Sequence, residues 1–491
     1  MTINKFILGA ELAFAQVLLL FAIFVGPYAM IVWPTTGPFG ALVLLGAGIV
    51  LVALLVGFIG TRIEHGLAAV VHKRRLAQVI VLGILAQILV ALFTHPVFTS
   101  DARSYLLLAN KLANGMIYMD EAGRLAFFPP GLPLFLAPFV VVFGPSLTAV
   151  ALANITLYIV GAFAIHDLGK RLFEEKVGLA AIILFTVWPS RLLTAGLASK
   201  ENLTIAMVLT GSALCVAAFA STKRKSWVSA VGAGAAFGLA GLAQPGLMLL
   251  VAAVPIAFRY RWQSIPKLQY VGKCAVVFAC MMACLLPWQM RNCVVFKNQF
   301  CGIATNGGSV FYRANNPKAN GEFAERGEVS ISNLTELEQN RIGFALGKQW
   351  IKENPKEFLT LSAKKLVYLL GDDAQGAYWG ILRGEGGNHD QSLKSGAAAR
   401  IIAYKIADWI SWVFWVLVAT LGARTIAQSR RLLNTKDREK LLPLIYPLLY
   451  SAVVFSVFES GSRQHAIALA LVLVLASASI ALKSRRTDSV E

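Results

Sequence analysis

The stretch that decides the fold is HPVFTSDARSYLLLANKLANGMIYMDEAGRLAFFPPGLP, residues 95–133, a polar interruption between two strongly apolar segments. Its first half predicts a short helix over 102–114, with Asp101 at the start. Its second half ends on Phe-Phe-Pro-Pro-Gly at 127–131, where prolines and glycine predict a fixed turn back into apolar sequence. The stretch therefore predicts an excursion out of a membrane.

The composition around this stretch indicates an integral membrane protein. Of the 491 residues, 57% are hydrophobic and 14% are charged, whereas a soluble domain carries about 25% charged residues. The formal net charge is +19, which in a soluble protein would indicate a nucleic-acid partner. Here much of the excess lies in short loops between apolar runs, as is typical of cytoplasmic loops. The pattern argues against nucleic-acid binding.

Apolar segments long enough for a bilayer recur along the chain. A membrane helix needs about 20 apolar residues, and roughly twelve segments satisfy this criterion. They predict a mainly α, polytopic membrane bundle, with 132–165 as one bent or broken span. The predicted segments are 6–33, 38–60, 76–94, 132–165, 177–190, 202–220, 227–243, 245–258, 268–289, 404–424, 441–458 and 464–482.

Lysine and arginine in the short loops predict the orientation. Under the twelve-segment count all basic loops fall on one side, which the positive-inside rule assigns to the cytoplasm. Both termini then lie in the cytoplasm, and Asp101, 191–201, 290–403 and 459–463 lie outside. The basic loops are 61–75, 167–176, 221–226, 259–267 and 424–440, followed by the tail from Lys483.

These observations divide the chain into four expected parts. They are an N-terminal membrane hairpin with a basic cytoplasmic loop (1–75), a membrane core with the external loop 95–131 (76–289), an external α/β segment (290–403), and C-terminal membrane helices with a basic cytoplasmic tail (404–491). We find no tandem soluble repeats.

The external segment mixes several patterns. The runs CVVF and CGIA predict short strands around a turn, and their cysteines, Cys293 and Cys301, leave both a disulfide and free thiols open. Helical periodicity covers 334–350. An amphipathic helix suited to the membrane surface follows Pro355, and 371–400 is a glycine-rich loop.

Asp101 is the first candidate for chemistry. As a helix start it could be an N-cap that accepts backbone N–H groups. Alternatively, it is a general base at the mouth of a membrane cavity, since a hydroxyl that attacks a sugar carbon must lose its proton. Arg124, before the Phe-Phe-Pro-Pro-Gly turn, is a candidate phosphate contact, although the turn itself also fits an aromatic belt at the interface.

The motif Ala-Ser-Lys-Glu-Asn at 198–202 is the second candidate. Lys200 and Glu201 could form a plain surface ion pair. Alternatively, Lys200 or Arg191 holds a phosphate at a helix N-terminus, where the helix dipole favours anions. Glu201 would then position the acceptor or a divalent metal ion, so a metal stays open, although no residue spacing resembles a zinc site.

Two further groups lie on the same predicted outer side. Arg291 leaves a helix in Pro-Trp-Gln-Met-Arg-Asn and is either an interfacial anchor or a contact to a lipid phosphate. Arg463 and His465 stand at the outer start of the last helix, where a capped turn is the alternative. Basic groups and a carboxylate together suit a phosphorylated lipid, because arginine binds phosphate bidentately.

At these residues the chain resembles the bacterial GT-C glycosyltransferases of the dolichyl-phosphate-mannose–protein mannosyltransferase-like group, which includes the lipid A aminoarabinose transferases. The motifs occur in the family's order: Asp101 with Tyr105 and Ala109, FFPPGLPLFLAP, SKEN (199–202), PWQMRN (287–292), TNGGSVFYRANNPKANGEF (305–323) and ENPKEFLTL (353–361). Two features differ: the loop follows the third helix rather than the first, and Phe127-Phe128 stands where relatives often carry a charge before the prolines.

The resemblance implies a helical membrane core with an external active site in the bacterial inner membrane. The donor would be a polyprenyl-phosphate-linked monosaccharide, and the acceptor a cell-envelope lipid, glycan or protein. Transfer would invert the sugar carbon with Asp101 as base and Tyr105 in the substrate site. The alternatives are a polymerase or ligase that uses a lipid diphosphate, and a twelve-helix transporter or flippase, which would show internal repeats.

Overall fold

The computed structural model describes residues 2–31, 60–72, 75–94, 96–321, 330–382 and 398–482. These residues are mostly helical and contain no strand. Within them, nine helices are long and apolar enough to cross a membrane: Lys5–Ile23, Leu76–Thr94, Leu147–Leu172, Lys200–Phe219, Arg224–Ala243, Lys267–Val295, Ala398–Arg431, Glu439–Val457 and Ser462–Leu482. The chain is thus a polytopic, helical membrane protein, as its sequence predicts.

The helices are numbered here in chain order. They are α1 (Thr2–Ile31), α2 (Gly60–His72), α3 (Leu76–Thr94), α4 (Ser100–Ala113), α5 (Gly131–Phe143), α6 (Leu147–Leu172), α7 (Glu175–Val187), α8 (Pro189–Leu193), α9 (Lys200–Phe219), α10 (Arg224–Ala243), α11 (Lys267–Val295), α12 (Gly307–Ala314), α13 (Glu336–Glu353), α14 (Pro355–Leu370), α15 (Ala398–Leu432), α16 (Leu442–Val457) and α17 (Ser462–Ser477). Short helical turns lie at Pro245–Ala253, Val254–Ala257, Arg259–Gln263, Gln375–Ala377, Tyr378–Leu382, Thr435–Arg438 and Glu439–Leu441.

Three predicted spans differ in detail from the structure. The span at 177–190 is the 13-residue helix α7, which ends at Val187, and α8 begins at Pro189. The bent span at 132–165 is two helices, α5 and α6, because Gly144 has a φ of 67° and ends the first of them. The span at 245–258 is a series of short turns that begins at Pro245, whose ring cannot continue the preceding helix. Apart from its last residue, the predicted span at 38–60 lies outside the described residues.

The strands predicted around Cys293 and Cys301 are wrong. The CVV run completes α11, and the residues after it form turns. Asn292 donates from Nδ2 to the carbonyl of Gly302 at 2.7 Å, so a side chain rather than a ladder ties the two runs together. A disulfide joins Cys293 to Cys301. Tertiary contacts here override the β propensity of valine and phenylalanine.

Helix α17 lies at the centre of the described bundle. Its residues from His465 to Ser477 are all buried, and it packs against α7, α9, α15 and α16. The helix is apolar along its whole length, as expected for a membrane helix that other helices surround. Its first turn, however, carries Arg463, which the bundle thereby holds at one end.

Candidate active site

Three helix N-termini meet at that end of the bundle. Helices α4, α9 and α17 begin at Ser100, Lys200 and Ser462. Their first turns bring Asp101, Lys200, Glu201 and Arg463 into one cluster, which we call the Asp101 cluster. A helix N-terminus carries a partial positive charge, so the backbone adds to an environment that favours anions.

Arg463 joins the two carboxylates of the Asp101 cluster. Its Nη1 donates to Oδ2 of Asp101 at 3.0 Å, and its Nε donates to Oε1 of Glu201 at 2.5 Å. Ser199 donates from Oγ to the other oxygen of Glu201 at 2.5 Å. Thr99, not Asp101, occupies the N-cap position of α4. The Asp101 carboxylate therefore takes part in an ion pair across the bundle rather than in a local cap.

A cavity opens next to this ion pair. Its volume is about 30 Å³, and it reaches the Asp101 carboxylate, whose side chain is 38% exposed. Its wall combines acidic, basic, hydroxyl, amide and aromatic groups. The lining residues are Asp101, Ala102, Thr194, Leu197, Ala198, Ser199, Glu201, Gln375, Trp379 and Arg463. The cavity in this structure is too small for a sugar, but its wall offers polar groups and an aromatic face, which are groups that contact sugars.

The charges around Asp101 keep it ionised. Burial raises the pKa of the Asp101 carboxyl, but the positive charges of Arg463, Lys200 and Arg313 outweigh burial and hold the pKa below its ordinary value. Glu459 lies nearby with Oε2 at 3.5 Å from Nη2 of Arg313. Burial raises the pKa of Glu459 above its ordinary value. Asp101 is therefore a carboxylate at neutral pH, surrounded by three cations.

Two asparagines fix the turn that forms one wall of the cavity. Asn154 on α6 donates to the carbonyls of Ala195 and Leu197, both at 2.9 Å. Asn202 donates to the carbonyl of Thr194 at 3.2 Å and accepts from its hydroxyl at 3.1 Å. Each asparagine satisfies backbone groups that the turn leaves unpaired, which stabilises the turn in a buried setting.

Tyr105 lies one turn of α4 from Asp101 and is fully buried against Phe128, with ring centroids 5.5 Å apart. Tyr105 does not line the cavity. In this structure it is a packing residue next to Asp101 and is not exposed to a substrate.

Arg124 and Arg291, both candidates for a phosphate contact, instead bind groups of the loop between α4 and α5. Arg124 pairs with Asp120 at 2.7 Å and covers the Phe127 ring at 3.4 Å from its centroid. Arg291 donates to the carbonyls of Leu125 and Tyr118 at 2.8 and 3.2 Å. Neither arginine lines the cavity of the Asp101 cluster. The reason is that each finds partners within the loop itself.

Arg191 and His465 are also held away from the cavity. Arg191 is buried, donates to the carbonyl of Phe185 at 3.3 Å and covers aromatic rings. His465 lies 3.2 Å from Oδ1 of Asp373 and stacks on Trp415 with centroids 5.0 Å apart. These contacts lie inside the bundle, so both side chains contribute to packing next to the site and do not line the cavity.

Several cavity groups are not among the predicted residues. Gln375 and Trp379 come from the glycine-rich stretch, which the sequence presents only as a loop. Thr194 comes from the turn before α9. Arg313 lies in the run TNGGSVFYRANNP, and its charge inside a family-like motif was the one signal that could have assigned it.

The described residues of the Asp101 cluster do not fit a divalent metal ion. Among the described residues no group of three or more histidine, cysteine, aspartate or glutamate side chains comes together to hold one. The carboxylates of Asp101 and Glu201 point at the guanidinium of Arg463, which occupies the space between them. A cation there would have to displace that guanidinium, so we derive no step through a metal.

Comparison with known proteins agrees with the sequence motifs. A sequence model of the family "Dolichyl-phosphate-mannose-protein mannosyltransferase" matches residues 128–288. No curated protein matches the chain.

Two solved structures resemble the chain at low identity. The oligosaccharyltransferase AglB from Archaeoglobus fulgidus, in complex with an inhibitory peptide and a dolichol-phosphate, is 13% identical, with a TM-score of 0.48, 85% of this chain covered and 51% of that chain. This chain thus spans about half the length of that protein. ArnT from Cupriavidus metallidurans, bound to undecaprenyl phosphate, is 14% identical, with a TM-score of 0.36, 83% of this chain covered and 77% of that chain.

The family match begins at Phe128, inside the Phe-Phe-Pro-Pro-Gly turn, and covers the turn before α9 and the helices up to Trp288, whereas Asp101 and Arg463 lie outside it. It includes Lys200 and Glu201 of the Asp101 cluster. The chain is therefore a polytopic membrane protein that is similar, over residues 128–288, to the dolichyl-phosphate-mannose-protein mannosyltransferase family, and the resemblance to that family predicted from its motifs is confirmed over these residues.

Proposed function

We propose that the protein is a glycosyltransferase that moves a monosaccharide from a polyprenyl-phosphate-linked donor to a lipid, glycan or protein acceptor. The observation that carries this proposal is the Asp101 carboxylate, ion-paired with Arg463 and close to Lys200, in a cavity where three helices begin. The family that matches residues 128–288 takes its name from a lipid-phosphate sugar, which supports the same donor class.

The donor phosphate would bind to the cations of this end of the bundle. Arg463 can bind a phosphate bidentately, and Lys200 adds a point charge at the start of α9. Arg313 lies close enough to influence Asp101 and would extend the positive surface. The N-termini of α9 and α17 would contribute N–H groups to the same anion.

Asp101 would then act as the general base. As the acceptor hydroxyl oxygen attacks the anomeric carbon, its proton passes to the Asp101 carboxylate. The bond between that carbon and the phosphate oxygen breaks, and polyprenyl phosphate leaves with the electron pair. One direct displacement inverts the sugar carbon. A phosphate on Arg463 would also weaken the ion pair that lowers the pKa of Asp101, and would thereby make it a stronger base.

We place this chemistry on the extracytoplasmic face of a bacterial inner membrane, with both termini in the cytoplasm. The basic loops support this orientation. The disulfide between Cys293 and Cys301 also supports it, because disulfides persist in oxidising compartments. The partners are then the lipid donor, a cell-envelope acceptor and the bilayer, without nucleic acid.

The two alternatives differ in measurable ways. A secondary transporter usually binds its substrate near the bilayer midplane, whereas the Asp101 cluster lies where helices begin. A polymerase or ligase would use the same cations for a lipid diphosphate. The preference for one phosphate or two therefore separates the proposed transferase from that alternative.

Binding of undecaprenyl phosphate to the purified protein tests the donor site. Arg463→Gln should weaken binding at least about tenfold, because charge-assisted hydrogen bonds contribute roughly 1.5–3 kcal/mol. Arg103→Gln is the matched control, since Arg103 lies on α4 near Asp101 but is 60% exposed and pairs with Glu121. Equal affinity of Arg463→Gln and wild type would contradict the proposed donor site. Tighter binding of undecaprenyl diphosphate would favour the polymerase or ligase.

A further inference from the structure

A second cavity lies between the first turns of α1 and the end of α15. Its volume is about 310 Å³. The lining residues are Lys5, Leu8, Gly9, Leu12, Arg430 and Arg438. We call it the basic cavity. Neither the family match nor the proposed transfer reaction involves it.

The basic cavity lies at the opposite end of the bundle from the Asp101 cluster. Helices α15 and α17 run in parallel, since Trp415 stacks on His465 and Gly422 lies against Val472. Arg430 follows Trp415 by fifteen residues, which corresponds to about 22 Å along a helix. The basic cavity therefore faces the other leaflet.

Three cations line the basic cavity, and no carboxylate does. Arg438 is held in place by donating from Nε to the carbonyl of Leu433 at 2.9 Å and from Nη2 to that of Arg430 at 2.6 Å. In the part of the chain that the structure describes, Nη2 of Arg430 is buried without a hydrogen-bond partner. A buried positive charge without an acceptor is energetically costly at a membrane, so we expect an anion to bind beside Arg430.

The acidic groups nearest in sequence are Glu11, Asp437 and Glu439, and none of them lines the basic cavity. Glu11 on α1 binds Arg259 at 2.5 Å and accepts from the Tyr446 hydroxyl at 2.6 Å. Asp437 forms an ion pair with Lys440 at 2.5 Å. Neither carboxylate lines the basic cavity, so its positive charge stays available to a ligand.

The remaining wall is apolar and belongs to α1, a helix that also exposes large apolar side chains outside the cavity. Leu8, Gly9 and Leu12 lie along one stripe of α1, and nothing stands within 4 Å of the position that a Cβ on Gly9 would take. Phe6 and Phe14 on the same helix are 77% and 51% exposed, as expected for side chains in contact with acyl chains. A basic pocket between membrane helices with an apolar wall suits a lipid whose head group carries a phosphate.

We infer that the basic cavity binds the phosphate head group of an anionic membrane lipid in the leaflet opposite the Asp101 cluster. Lys5, Arg430 and Arg438 bind the phosphate, and the acyl chains run along α1. This site is independent of the transferase proposal, because its ligand, its residues and its leaflet are different.

Native mass spectrometry of the purified full chain, titrated with phosphatidylglycerol, tests the site. Arg430→Gln should weaken binding at least about tenfold, in keeping with the loss of charge-assisted hydrogen bonds. The matched control is Arg431→Gln, because Arg431 is the exposed neighbour on the same helix. Gly9→Phe should block the cavity without changing any charge, and the open space around Gly9 makes it compatible with folding.

The outcomes are distinct. Weaker binding in both cavity variants, with Arg431→Gln like wild type and phosphatidylcholine bound poorly, supports the site. Equal affinity of wild type and the two cavity variants, or equal loss in Arg431→Gln, contradicts it. Inorganic phosphate that binds alone and displaces the lipid would assign the cavity to a soluble anion and contradict the lipid assignment. None of these readouts depends on transferase activity.

Discussion

At the scale of single residues, the chemistry depends on what Arg463 binds. Its guanidinium donates to Asp101 and Glu201 at the same time. Each ion pair therefore occupies a carboxylate oxygen that could otherwise accept a hydrogen bond or a proton from a substrate. A donor phosphate competes for those same N–H groups. Binding of the lipid phosphate to Arg463 would therefore free the Asp101 carboxylate from its ion pair, so that it can act as the base.

Removing the charge of Lys200 should change how the transfer rate depends on pH. Its positive charge is one of those that lower the pKa of Asp101, so Lys200→Gln raises that pKa towards its ordinary value. Because transfer needs the carboxylate, the acid limb of the kcat profile should move to higher pH in the variant. The measurement is the transfer rate against pH at saturating donor.

An unchanged acid limb in Lys200→Gln would show that Asp101 does not titrate in the rate-limiting step. Lys225→Gln serves as the control, because Lys225 is exposed and lies in the first turn of α10, which follows the other end of α9. Its acid limb should match that of wild type.

The structure brings together four of the nine site residues predicted from the sequence and places the other five away from the cavity, and the roles of all nine stay predictions. Asp101, Lys200, Glu201 and Arg463 each lie in the first turn of a helix on one predicted side, so topology alone places them close to one another. Sequence cannot show which partner an arginine selects within its own loop. Arg124 illustrates this, although Asp120 four residues earlier was a visible signal of a local pair.

At the scale of elements, hydrogen bonds to its own residues and to the chain near residue 305 hold the loop between α4 and α5 in place. The Tyr118 hydroxyl donates to the carbonyl of Phe128 at 2.9 Å, and Thr305 donates its N–H to the carbonyl of Ala126 at 2.9 Å. Gly131, at the start of α5, packs on α10 so closely that a Cβ would lie 2.4 Å from the backbone nitrogen of Ala243. The turn thus fixes α5 against α10.

A methyl group at Gly131 should break this contact. Gly131→Ala should lower the free energy of unfolding by about 1–3 kcal/mol, because overpacking against backbone forces a shift of the helix. The thermal midpoint of the purified protein in detergent measures the effect. Gly66→Ala is the control, since Gly66 is helical and a Cβ added there would have nothing within 4 Å, so that its midpoint should stay or rise. Equal midpoints for both variants would contradict the close packing.

Elements with strong periodicity were predictable from sequence, and elements set by distant contacts were not. The helices α4, α13 and α14 occur where their apolar spacing predicts them. The stretch after residue 289 instead continues α11, because Asn292 and the disulfide at Cys293 bind the returning chain. A local preference for strands could not reveal that contact.

At the scale of the whole molecule, the two ends of the bundle differ in charge. One end combines carboxylates with cations around the Asp101 cluster, and the other carries the basic cavity without a lining carboxylate. Apolar runs and basic loops predicted this polarity, since both follow from the bilayer. The cavities themselves arise from contacts between helices far apart in sequence, which no local pattern encodes.

The disulfide gives a whole-molecule test of orientation. If the Asp101 end faces an oxidising compartment, Cys293 and Cys301 stay paired in the protein isolated without reductant, and the other four cysteines are thiols. Maleimide labelling of the denatured chain should then add four labels by mass spectrometry, and six after reduction. Six labels before reduction would contradict an oxidising environment for that end.

The most direct test of the central claim is transfer by Asp101→Asn, assayed with undecaprenyl-phosphate-linked monosaccharides as release of undecaprenyl phosphate. The amide cannot accept the proton, so the rate should fall at least about hundredfold, while undecaprenyl phosphate still binds. Glu121→Gln, an exposed carboxylate on the same loop, should keep the wild-type rate. Transfer at the wild-type rate by Asp101→Asn would contradict the assignment of Asp101 as the catalytic base.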